Sequence, residues 1–215
     1  RDFLMNLSQN LSITQNVKVT HLKPHNEKIS VLNDRSNIWE TYDAVISTLP
    51  APQNLDLMKK FPILKKTLKT ASYDASIALM FIFDEKPKNI PYFFEYYNQQ
   101  GILSWMAAGS NLQFWTAQTK GDYSNKNINK DKILLKDEIF QEIEKAIYQL
   151  EPNIKINFHS LHIWKYAKVT KVCSGPQIDP TFPIVVAGDF MEGATVESAF
   201  SSGEKAAKLI LERLH

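Results

Sequence analysis

Apolar and polar positions change their period several times along this chain. Two alternating runs, NVKVTHL at 16–22 and KISVLN at 28–33, flank KPHNE, the pattern of a β-hairpin with its turn. YDAVISTLP at 42–50 holds Ala44, Val45 and Ile46 without polar relief before Pro50, which predicts a buried strand. Residues 52–70 predict one or two short helices with a lysine-rich solvent face. From 72 to 119 the segments SYDASIALMFIFD, YFFEYY, ILSWMAAG and LQFWTAQT are β-rich and aromatic, the mark of an antiparallel meander.

GDYSNKNINKDK at 121–132 predicts a polar loop. Asp131–Leu150 predicts an amphipathic helix with Ile133, Leu134, Ile139, Ile143, Ile147 and Leu150 on its stripe. KINFHSLHIWKYAKV predicts another strand, alternating through Ile154, Ile156 and Phe158. At the far end PIVVAGDF predicts a short apolar strand, and MEGATVESAFSSGEKAAKLILERL a helix rich in small residues. Phe3, Leu4, Leu7 and Leu11 have helical spacing at the start.

The two ends therefore predict an α/β layer and the middle an inserted antiparallel sheet. The expected division is 1–58 with 166–215 in one domain and 59–165 in the other. Composition fits a globular chain: 215 residues, 44% hydrophobic and 22% charged. A net charge of +2 gives no reason to expect a nucleic-acid or acidic-membrane partner. The single cysteine, Cys173, excludes a disulfide within the chain and fits a cytoplasmic setting. No apolar run approaches the roughly 18 residues of a membrane span, and the first residues lack the apolar stretch of a signal peptide.

Glycine changes the picture most. None of the seven glycines stands two residues from another, so there is no G-x-G-x-x-G and no phosphate-binding glycine loop.

Candidate chemistry gathers at 184–213. An apolar strand delivers Gly188 and Asp189 at its carboxyl end, where ligands sit in open α/β sheets. A helix then opens near Gly193–Thr195, and its first N–H groups favour an anionic partner. Ala194, Ser198, Ala199, Ser202 and Gly203 keep its first turns slim. From spacing alone, Asp189 reads equally well as a turn residue or as a ligand contact.

VVAGDF followed by GATVESAFSSGEKAAKLI resembles the C-terminal flavin signature of the FAD-dependent amine-oxidase superfamily. YDAVISTLPAPQ, HIWKYA and LQFWTAQTKGDYS are similar to segments of its renalase-like branch, in the same order. The resemblance implies a partial FAD-binding, Rossmann-like layer and a substrate domain built on an antiparallel sheet. It places Gly188 and Asp189 on the flavin, with Asp189 on the ribityl chain and the amides of Thr195 and Val196 near the pyrimidine ring. Val19 would meet the adenine, Pro50 would end a cofactor-side strand, and Trp164 and Tyr166 would stand near the isoalloxazine as catalytic candidates. The implied reaction is hydride transfer from a small reduced substrate, such as an isomer of NAD(P)H, to flavin N5, with dioxygen as acceptor. The family's opening strand, glycine loop and helix have no counterpart here. That implies a fragment or one half of a split protein, partnered by a chain carrying G-x-G-x-x-G, with weak FAD affinity by itself. An inactive remnant and a non-redox binding module are the competing expectations.

His159 and His162, three apart in a strand, point to opposite faces, so no metal site is expected. Cys173 has no His or Asn partner pattern and reads as a quiet thiol. The aromatic set Tyr92, Phe93, Phe94, Tyr96, Tyr97, Trp105, Phe114 and Trp115 reads mostly as core, with Trp105 and Trp115 as the two that would face a cavity.

Overall fold

The computed structural model describes residues 6–96 and 101–215, with the backbone alone at Phe158. The predicted positions Phe3, Leu4 and Tyr97 lie outside these residues. The chain forms two compact units, Arg1–Ala71 with Val172–His215, and Ser72–Lys171.

In the first unit a meander joins β1 (Val19–His25), β2 (Lys28–Asn33) and β3 (Trp39–Tyr42). The turn at Asn26–Glu27 is tight, and Asn26 takes φ 53°, a conformation asparagine tolerates. β3 was not legible as a strand, because all four of its residues are exposed and none carries an apolar period. β4 (Val45–Ser47) pairs in parallel with β11 (Ile184–Val186), and β10 (Gln177–Ile178) pairs antiparallel on the other side of β11. β11 is therefore central and wholly buried, and β4 ends its sheet. Two short helices follow β4: α1 (Ala51–Leu57) and α2 (Pro62–Leu68). Both begin at or next to a proline, whose fixed φ suits a first helical turn.

The second unit is a five-stranded antiparallel sheet in the order β6 (Phe93–Glu95), β7 (Leu103–Ala108), β8 (Phe114–Thr119), β5 (Ser72–Phe83), β9 (Ile156–Lys171). α4 (Lys132–Tyr148) packs on one face. The Asp131 carboxylate caps it, accepting the N–H groups of Ile133 and Leu134 at 2.8 and 3.2 Å. Leu135, Ile139, Ile143 and Ile147 enter the core, each fully buried. Burying each contributes about 1.5–3 kcal/mol. The expected stripe is corrected at three positions: Ile133, Leu134 and Leu150 are exposed, because the four-residue spacing from Leu135 sets the buried face.

The predicted polar loop is also corrected, since Gly121–Asn127 is a helix, α3. Its polar side chains hold it to the sheet. Ser124 is fully buried, its hydroxyl 2.7 Å from that of Thr119. Asn125 accepts the Ala75 N–H at 2.8 Å and donates to Asp74 at 2.7 Å. Trp115 is corrected as well. It is 2% exposed and belongs to the core, donating its indole N–H to the Leu112 carbonyl at 2.8 Å. Among the described residues no helix is long and apolar enough to cross a membrane.

Candidate functional site

The carboxyl end of β11 runs into Gly188, a 3-10 turn at Asp189–Met191, and then α5 (Val196–Leu214). Gly188 has φ 147°, and a Cβ there would meet the Phe190 ring at 2.6 Å. Only glycine fits that corner without strain. Its N–H donates to the Ser202 hydroxyl at 3.0 Å, and this bond fixes the strand end against the second turn of the helix. Ser202 is fully buried, so the small polar residue expected only to slim the helix also satisfies an otherwise orphaned donor.

A cavity of about 390 Å³ opens at this corner, lined by Thr48, Ala187, Gly188, Asp189, Thr195 and Val196 among others. Ala199 and Gly203 form its helical wall with Ala194 just before the helix, and a Cβ built at Gly203 would meet nothing within 4 Å. The wall is thin because the residues are small, and the space beyond Gly203 is empty of protein. One Asp189 oxygen accepts the Phe190 N–H at 2.8 Å, which leaves carboxylate capacity toward the cavity.

The first helical amides divide into two groups. The Thr195 side chain is the N-cap and accepts the Ser198 N–H at 3.1 Å. The Thr195 N–H turns back to the Gly193 carbonyl at 2.9 Å, and the Ala199 N–H bonds the Thr195 carbonyl. The N–H groups of Val196 and Glu197 have no acceptor among the described residues. Of the two amides expected at a ligand, Val196 is thus the open one, in a residue 79% exposed. Beside the corner, Lys205 reaches Glu192 at 2.7 Å. Hydrogen bonds from Lys205 and then Ser201 hold the Glu192 carboxyl below its usual range.

Thr48 also lines a second, larger hollow of about 1080 Å³, together with Val19, Ile46 and Leu49. The Val19 hollow therefore adjoins the Asp189 cavity at Thr48. No sequence signal marked Thr48; only the parallel register of β4 with β11 brings it there. Pro50 follows two residues later as the N-cap of α1. Gly188, Asp189, Thr195 and Val196 thus share one cavity, and Val19 stands in the next.

Trp164 and Tyr166 lie in the other unit, on β9, 54% and 38% exposed. Trp164 packs against His162 with ring centroids 4.3 Å apart, and Tyr166 against Tyr73 at 5.7 Å. His159 stacks on Phe140 of α4 at 4.4 Å, on the opposite face from His162. Among the described residues no cluster of three or more His, Cys, Asp or Glu side chains could hold a metal ion. The Cys173 thiol is buried and donates to the Thr67 carbonyl at 3.3 Å.

No protein-family model matches the chain. Solved structures match its fold along nearly its whole length. A candidate protoporphyrinogen oxidase from Exiguobacterium sp. 255-15 superposes with a TM-score of 0.71 at 13% identity, over 99% of this chain and 50% of that one. A fatty acid isomerase from P. acnes that produces CLA gives 0.70 at 12% identity, over 96% and 51%. An oxidoreductase from Methanosarcina mazei gives 0.59 at 16% identity, over 89% and 49%. The chain spans about half the length of the structures it matches. What these proteins share with it at such low identity is the fold.

Proposed function

We propose that the chain is the flavin-end portion of an FAD-dependent oxidoreductase of the amine-oxidase, renalase-like type, working in the cytoplasm. The observation that carries this reading is the corner cavity, where one carboxylate and the open amides of a 19-residue helix meet a wall without bulk. Its donor set fits the riboflavin end of FAD. Asp189 can accept from ribityl hydroxyls, and the Val196 and Glu197 N–H groups suit a ring oxygen that gains negative charge. Ala194, Ala199 and Gly203 leave room for a flat ring. Val19 stands in the adjoining hollow as the adenine contact, and Pro50 ends the connection after β4.

Bound FAD would supply hydride acceptance at N5 and reoxidation by dioxygen. The chain's own part is to hold the ring, orient the ribityl chain and offer fixed dipoles to developing charge. Trp164 and Tyr166 are proposed to stand on the substrate side, the substrate being a small reduced molecule such as an NAD(P)H isomer. The oxidoreductase named among the fold neighbours agrees with this chemistry.

A second reading rests on the lack of any glycine loop in the sequence. In that reading the chain is catalytically silent until a polypeptide carrying G-x-G-x-x-G holds the pyrophosphate. Equilibrium dialysis of FAD against the 215-residue chain and its Asp189→Ala variant tests the first reading. Weak retention that the substitution lowers about tenfold is expected, the loss of a hydrogen bond to a charged group. Equal retention by both chains overturns the assignment of Asp189. Retention only after a glycine-loop polypeptide is added favours the second reading.

A further inference from the structure

The even charge of the whole chain conceals a local excess. From Leu57 to Tyr73 there are five lysines, Lys59, Lys60, Lys65, Lys66 and Lys69, and no aspartate or glutamate. The chain holds 25 basic and 23 acidic residues in all, so without these five the remainder is net negative. The fold gathers the excess on one surface of the first unit. Phe61, Leu64 and Leu68 are buried and pin the Met58–Lys60 3-10 turn and α2 to the body. Helical spacing then turns Ile63, Lys66 and Lys69 to the opposite side. Lys59, Lys60, Lys66 and Lys69 are exposed, and among the described residues only Lys59 of the five has an acidic partner, Asp56 at 3.4 Å.

Apolar side chains stand within this charge. Ile63 is 50% exposed, with Lys60 and Lys66 three residues to either side. The Cys173 thiol meets the Thr67 carbonyl at 3.3 Å and the Thr70 hydroxyl at 3.4 Å, which brings Val172, 43% exposed, alongside the end of α2. In water such a face is costly, because like charges repel and the aliphatic groups stay wet. Both costs reverse at an anionic lipid surface, where lysines meet headgroups and aliphatic side chains enter the acyl boundary. We propose that α2 and the turn before it are the contact by which the chain rests on an anionic membrane. The contact lies on the bilayer, since α2 has seven residues and a span needs about twenty. The net-negative remainder is repelled by the surface that the lysines seek, which favours this face over others. A nucleic acid fits less well: Phe61, the aromatic residue within the lysine run, is 0% exposed and cannot stack on a base.

Co-sedimentation of the 215-residue chain with lipid vesicles tests the contact, and it needs no flavin. Vesicles of phosphatidylcholine and phosphatidylserine in equal parts are expected to bind about tenfold more tightly than phosphatidylcholine alone, a difference that shrinks as salt is raised. Lys66→Gln and Lys69→Gln are each expected to weaken that binding about fivefold. Lys86→Gln and Lys88→Gln remove the same charge from an exposed loop of the other unit and are expected to leave it unchanged. A polarity-sensitive fluorophore on Ile63→Cys is expected to shift to the blue on the mixed vesicles, Cys173 being buried. Circular dichroism checks that each variant is folded, and every substituted side chain is exposed. Equal binding to neutral vesicles, no binding to either kind, equal effects of the Lys66 and Lys86 substitutions, or an unshifted fluorophore overturns the proposal. Release from the vesicles by a duplex oligonucleotide that Lys66→Gln no longer binds would assign the face to nucleic acid and overturn it too.

Discussion

The Gly188 N–H lies 3.0 Å from the Ser202 hydroxyl, a hydrogen bond across fourteen residues that ties the end of β11 to α5. Among the described residues the hydroxyl is its only partner, and the serine is fully buried. Ser202→Ala leaves the half-buried Gly188 donor without its partner, at about 1 kcal/mol. The variant is expected to unfold at lower urea, and an unchanged midpoint would show that the corner is held by other means.

Gly203 separates stability from binding. A Cβ at this helical position meets no atom within 4 Å, so Gly203→Ala should stabilise α5 by up to about 1 kcal/mol. Gly203→Phe is expected to fold too, yet to fill the space at the cavity wall and lower FAD retention about tenfold or more. Thermal melts and dialysis together decide: a phenylalanine variant that retains flavin as well as wild type removes Gly203 from the site.

His159 predicts an acid sensitivity. Its Nδ1 is buried without a partner, and burial, then the Lys136 charge, hold its pKa below the ordinary 6.5, with Asp137 and Glu144 opposing. The folded state thus binds this proton less readily than the unfolded chain. Nothing is lost well above pH 6.5, and stability falls as pH drops below that value toward the lower folded pKa. Urea midpoints measured at neutral and mildly acidic pH should converge for His159→Phe and diverge for wild type. Equal pH slopes would rule out His159 as the cause.

Asn125 bridges Asp74 and the Ala75 N–H, and so anchors α3 to β5. Asn125→Ala is expected to cost about 1–3 kcal/mol, because the Ala75 donor lies in a nearly buried residue. Hydrogen exchange at Ala75 reports the loss directly; retained protection would contradict it.

The elements with a clear period were legible in the sequence: the β1–β2 hairpin, the strands β5 to β8, α4, and the β11–α5 corner with Asp189 at its mouth. The expected meander is corrected, because β5 lies between β8 and β9 and not beside β6. What escaped depends on partners distant in the chain. The α3 segment carries no apolar period because hydroxyl and amide bonds hold it. Trp105 and Trp115 carry the same bulk in neighbouring strands, yet the bulge between Leu103 and Trp105 sends the first to the open face, while register sends the second to the core. Thr48 gains meaning only because β4, which it follows, lies parallel beside β11.

Among the described residues β4 is bonded on one side only. Val45 and Ser47 direct their backbone groups to β11, so alternation turns the N–H and C=O of Ile46 outward, in a residue 39% exposed. An outward rung beside a greasy side chain is a template for another strand. At high concentration, copies of this polypeptide will therefore tend to zip together along that margin, and a lysine at position 46 would be the simplest way to keep them apart.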